Sequence, residues 1–250
     1  MPWLSPRTAC ALAQAAVVLA AGAGAVLAVA GPGHRWGWWG SRVALGALKW
    51  TLLAALLGAV LGAVALVAGL GGAGRAAILG GAAALAIAAA TLALPVRMLS
   101  AARTVPRIHD VTTDTERPPA FVAVLSRRGD AMNPADYPGP DVAAKQRAGY
   151  PDLAPAELPV PPARALAAAT DAARALGWEV VAEVPADGRL EATDTTPWWG
   201  FKDDIVVRVA PRGPGSVVDV RSKSRVGVSD LGVNANRIRR FLTELRARVS

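Results

Sequence analysis

The chain has 250 residues, 53% of them hydrophobic and only 18% charged, with a formal net charge of +8. Soluble globular chains carry about a quarter charged residues, so an ordinary cytosolic enzyme is disfavoured. The apolar content excludes disorder, and the single cysteine, Cys10, excludes a disulfide scaffold.

Residues 1–103 hold seven basic side chains and no Asp or Glu, whereas 104–250 hold 20 basic and 19 acidic ones. The basic excess therefore belongs to the first part. Nucleic-acid binding needs cations gathered without neutralising acids in a folded, water-exposed domain, and neither part offers that. No nucleic-acid partner is expected.

Three uncharged apolar runs of 21 residues follow in order: 10–30, 50–70 and 76–96. At about 1.5 Å per residue each spans roughly 31 Å, the thickness of a hydrocarbon core. None carries the polar stripe of a soluble helix. The sequence thus predicts a membrane domain over 1–103 with three transmembrane helices and the lipid bilayer as its partner. Gly31-Pro32-Gly33 is expected to break the first helix, and Trp36, Trp38 and Trp39 to form an interfacial belt. Gly58 and Gly62 form a small-xxx-small pair suited to close helix packing. The spans contain no ionisable residue, which disfavours transport.

The remainder, 104–250, is large enough for one core. Its stretch 104–162 reads as Pro-rich and extended, with one short helix over 141–148. Regular patterning follows. A helix over 162–176 stops at Gly177, and strands run over 178–184 and 189–194 around a turn at 186–188. Strands over 201–209 and from about 216 to 222 come next, then a helix over 233–249 with Ile238, Phe241, Leu242, Leu245 and Val249 in one stripe. The expectation is an α+β domain: a four-stranded, mainly antiparallel sheet with two flanking helices.

Among residues with reactive or binding chemistry, His109 is the sole histidine of this part and the catalytic candidate, with Asp110 and Asp114 beside it. A hydrolase or transferase would need His109 within about 3 Å of a carboxylate such as Asp203 or Asp204, or of a serine hydroxyl. One histidine and no available cysteine fall short of a zinc site, and two aspartates fall short of an oxygen cage. Neither metal nor cofactor is expected, and turn-forming Asx roles suit Asp110 and Asp114. Trp198 and Trp199 lie between two strands, with Lys202, Asp203 and Asp204 following. Arg225, Asp230, Asn234 and Arg237 surround the start of the last helix. There Asp230 is expected to cap, and the arginines either to line an anion site or to pair with Asp203, Asp204 and Asp230 on a solvated face. These residues are the binding candidates.

Three blocks have a further implication. Ile108-His109-Asp110-Val111-Thr112-Thr113-Asp114-Thr115 with Pro118-Pro119-Ala120-Phe121, then Thr196 to Asp204, then Ser224 to Arg239, resemble the signatures of an uncharacterised bacterial family, domain of unknown function 1499. Similar proteins place hydrophobic spans before the domain. The resemblance implies a multi-pass protein of the bacterial inner membrane and supplies no reaction. The positive-inside count favours a cytoplasmic C-terminal domain, whereas relatives built for export imply a periplasmic one, and long domains translocate despite flanking charge. The expectation adopted is a periplasmic, non-enzymatic module binding an anionic or amphipathic envelope ligand. A hydrolase or transferase using His109, and a structural protein of envelope assembly, are the alternatives.

Overall fold

A computed structural model describes residues 2–129 and 131–249. The chain forms two compact units: 1–100 with 198–200, and 101–197 with 201–250.

The first unit contains three long helices, α1 (Pro6–Arg35), α2 (Ser41–Ala68) and α3 (Arg75–Ala102). All three are long and apolar enough to cross a membrane. Small residues let their backbones approach. A Cβ on Gly58 would lie 3.1 Å from the Ala16 carbonyl oxygen in α1, and one on Gly62 would lie 3.1 Å from the Gly81 carbonyl oxygen in α3. The two glycines of the pair therefore serve different neighbours. Ser5 caps α1 by accepting from Thr8 N–H at 3.1 Å. Contrary to expectation, α1 does not break at Gly31-Pro32-Gly33 but runs through Pro32 to Arg35. The carbonyls of this last turn still find donors: the Trp39 indole reaches Ala30 at 3.1 Å, and Trp36 and Trp38 N–H reach Pro32 and Gly33, each at 2.8 Å. Between α2 and α3, residues 69–73 widen into a π-turn.

The second unit is an α+β domain whose sheet has six strands, not four. β1 (Asp110–Thr112) and β2 (Ala156–Leu158) lie in the stretch expected to be irregular. Each has three residues, too few for a period-2 pattern to register. The other four are β3 (Glu179–Val184), β4 (Arg189–Thr195), β5 (Lys202–Arg212) and β6 (Gly215–Ser224). The order is β1-β6-β5-β4-β3, all antiparallel, with β2 sharing the outer edge of β6 with β1. Three helices accompany the sheet, one more than the two flanking helices expected: α4 (Pro140–Gly149), α5 (Pro162–Ala175) and α6 (Val233–Val249). The third is the short helix of the Pro-rich stretch.

The main core fills the space between the sheet and the pair α5 and α6. Leu166, Ala169 and Ala173 meet Leu190, Ile205, Val207, Val218 and Val220, while Phe241 stacks on Trp178 with ring centroids 5.2 Å apart. α5 stops where Gly177 takes φ +77°, allowing Gly177 and Trp178 N–H to close onto Arg174 and Ala173.

Candidate functional site

Alternation along the long strands sorts their side chains onto two faces. Leu190 and Ala192, Ile205 and Val207, and Val218 and Val220 face the helices. The opposite parity holds Arg189, Glu191 and Thr193; Asp204, Val206 and Arg208; and Asp219, Arg221 and Lys223. Such a face would ordinarily meet water. Here the Pro-rich segment 113–137 covers it, with Phe121 and Val124 packed on Val206.

The covered charges are paired. Asp110 accepts from Arg221 Nε at 2.9 Å, from Arg221 Nη2 at 2.8 Å and from Lys223 Nζ at 2.8 Å. Asp204 accepts from Arg225 Nη2 and from Thr193 Oγ1 at 2.8 and 2.9 Å, and from Arg128. Glu191 accepts the N–H groups of Val122, Ala123 and Val124 at 2.9–3.1 Å and pairs with Arg189. Remaining donors go to covering-segment carbonyls: Arg221 to Pro119 and Ala135, Lys223 to Asp136, Arg225 to Arg127. The Arg221 guanidinium also lies 4.7 Å from the Phe121 ring centroid. Burial pushes the Lys223 ammonium below its usual range against the pull of Asp110.

This layer corrects two expectations. Arg225 and Asp204 form an ion pair, but a buried one rather than part of a solvated face. Asp110 is a strand residue at the centre of an ion cluster and makes no Asx-turn. Asp114 does turn the backbone, accepting from Glu116 and Arg117 N–H at 3.0 and 2.9 Å while pairing with Arg208.

A second polar cluster forms where β5 begins, β6 ends and α6 starts. Arg237 donates to Asp203 at 2.6 Å, to Asp194 at 2.8 Å and to the Ser222 hydroxyl at 3.2 Å. Asn234 links Ser222 and Ser224 to the His109 carbonyl oxygen. Arg237 and Asp203 are thus buried as well, again in place of a solvated pair. Asp230 accepts Gly232 and Asn234 N–H at 2.9 and 2.8 Å, the capping role expected of it. Burial raises its carboxyl above the ordinary range. Leu231, φ +54°, is the one non-glycine in the left-handed region among the described residues, a strain that the surrounding bonds must hold.

His109 is half-buried. Among the described residues no hydrogen bond joins the ring to Asp203, Asp204 or a serine hydroxyl. Burial, then the charge on Lys223, lowers its pKa. The folded state therefore binds fewer protons than the unfolded one between that lowered value and about 6.5. This contribution is complete above about pH 6.5 and is lost as pH falls toward the folded pKa. Thermal unfolding of wild type between pH 7.5 and 5 should show an acid-side loss that is smaller in His109→Gln; equal losses would refute the assignment.

The rim of this second cluster is exposed. Ser224 N–H bonds to His109, Arg225 N–H to Lys202 and Asp230 N–H to Ile108, tying three chain segments together. Arg107, Lys202 and Val228 project outward from them, Val228 with 63% exposure. Trp198 and Trp199 are not gathered into this cluster, because 198–200 group with the first unit. Glu191, Asp194, Arg221 and Lys223 enter the site only in the structure, because alternation along β4 and β6 predicts a charged face turned to water.

Three helices with the dimensions of membrane spans, followed by an α+β domain with buried ionic layers, define the class of protein. The family described as "Protein of unknown function (DUF1499)" matches residues 110–245, more than half the chain, and the chain belongs to it. No curated protein and no solved structure matches.

Proposed function

We propose that the protein is a binding module of the bacterial inner membrane, its C-terminal domain lying in the periplasm and recognising an anionic, amphipathic component of the cell envelope. The observation that carries this reading is the rim at the start of α6. Arg107, Lys202 and Val228 are exposed on the three chain segments that backbone hydrogen bonds tie together beside the buried polar cluster. A ligand with a negative group and a short apolar portion complements both features. The strained backbone at Leu231 lies in the same loop. Asp203, Asp204, Asp230, Asn234, Arg225 and Arg237 then serve as the framework rather than as direct contacts.

The test uses full-length protein in phosphatidylcholine nanodiscs, titrated calorimetrically with water-soluble dihexanoyl phosphatidylglycerol and, as control, the phosphatidylcholine analogue. Selective binding of the anionic lipid is expected, weakened about ten-fold or more by Lys202→Gln with Val228→Ser, since one rim charge and one apolar contact are each worth about 1 kcal/mol. Equal affinity of the double variant and wild type would refute the rim as the site. A reporter fused after residue 250 and active only in the periplasm tests the orientation.

A further inference from the structure

The helical unit has a hollow of its own. Between α1 and α2 an open groove of about 360 Å³ is lined by Val18, Gly22, Val26, Trp50 and Ala54. That volume lies within the range of small-molecule sites, roughly 300–1,000 Å³. Its wall is almost wholly apolar, and the Thr51 hydroxyl is spent on the Ala47 carbonyl at 2.9 Å. A Cβ built on Gly22 meets nothing within 4 Å, so the floor of the groove is open space. The occupant has to be hydrocarbon.

Charge at one end of the groove specifies more. The 21-residue apolar run of α2 begins at Trp50, which sets Lys49 at the hydrocarbon boundary. The Lys49 ammonium lies 5.5 Å from the Trp50 ring centroid, directly beside the groove wall. Arg42 lies seven residues earlier, on the same helix face, and both are exposed. With no Asp or Glu anywhere in 1–103, nothing acidic in this stretch competes for these cations.

We infer that the groove binds one anionic phospholipid, an acyl chain filling the hollow and the phosphate held against Lys49, with Arg42 beyond it. This site lies wholly within the helical unit and is independent of the rim on the other unit. A second copy of the chain could occupy the groove only by inserting side chains of its own, which would leave no lipid behind.

Full-length protein, reconstituted in bilayers containing both phosphatidylglycerol and phosphatidylcholine, would be extracted in mild detergent and weighed intact by native mass spectrometry. Wild type should retain one phosphatidylglycerol per chain, preferred about five-fold or more over phosphatidylcholine, as expected for a cation near the headgroup layer. Gly22→Leu fills open space and should abolish retention. Lys49→Gln should keep a bound lipid but lose the headgroup preference. Undiminished retention in Gly22→Leu, equal retention of both lipids by wild type, or a lipid-free dimer would each overturn the assignment.

Discussion

Asp110→Ala is expected to destabilise the α+β domain by about 3–5 kcal/mol, the range for removing one partner of a buried ion pair. Arg221 and Lys223 are 2% and 1% exposed, and Asp110 is the carboxylate both share. Deleting it leaves two cations with carbonyl partners alone, in surroundings that have already displaced water. Coulombic attraction in the intact layer offsets part of the desolvation cost, and that offset is what the variant loses. Urea unfolding of the full-length protein in detergent, followed through the stacked Trp178, measures the effect. Asp110→Ala with Lys223→Met should recover part of the loss by removing one stranded charge. If Asp110→Ala stays within about 1 kcal/mol of wild type, the cluster does not hold the domain together.

Glu191→Ala should be nearly as damaging, by about 3 kcal/mol, through a different route. This fully buried carboxylate accepts three consecutive N–H groups of the covering segment, and each buried donor left unpaired costs about 1–3 kcal/mol before relaxation. Relaxation here means detachment. Segment 113–137 would lift locally while β4, β5 and β6 keep their helix-side core. Arg117, Arg127 and Arg128 lie within it, so brief trypsin treatment of Glu191→Ala should cut there before anywhere else in the domain. Cleavage no faster than in wild type would show that Phe121 and Val124 suffice to seat the segment. Glu191→Gln, which keeps an acceptor oxygen, should fall between the two.

The helices and the long strands were legible because burial there follows a period. Unbroken apolar runs mark α1 to α3, and the stripe from Ile238 to Val249 marks α6 almost to the residue. The same logic misread the second face of the sheet. Alternation says only that Arg221 and Lys223 oppose Val220 and Ser222, and the default for a charged face is water. What buries them is a segment about 100 residues away in sequence, whose prolines suppress any periodic signal. β1 and β2 escaped for a related reason: three residues pair only because β6 is already there to receive them. At the candidate site, Asp230 was readable as a helix cap from its position alone. Arg237 was recognisable as paired with Asp203, but its second carboxylate partner, Asp194, is one that nothing local connects to it.

The covering segment also sets an order of events during synthesis. Asp110 precedes Arg221 by 111 residues, and Thr113 precedes Asp219 by 106. A chain made from its N-terminus at about 5–20 residues per second therefore holds this segment without partners for roughly 5–20 s. During that interval α3 already offers an apolar anchor, whereas the strands that will receive Phe121 do not yet exist. Long-range pairing of this kind slows folding, because loop closure precedes any reward in contacts. Prolines and charges suit such a wait, since a segment of this composition does not add to the edge of a foreign sheet.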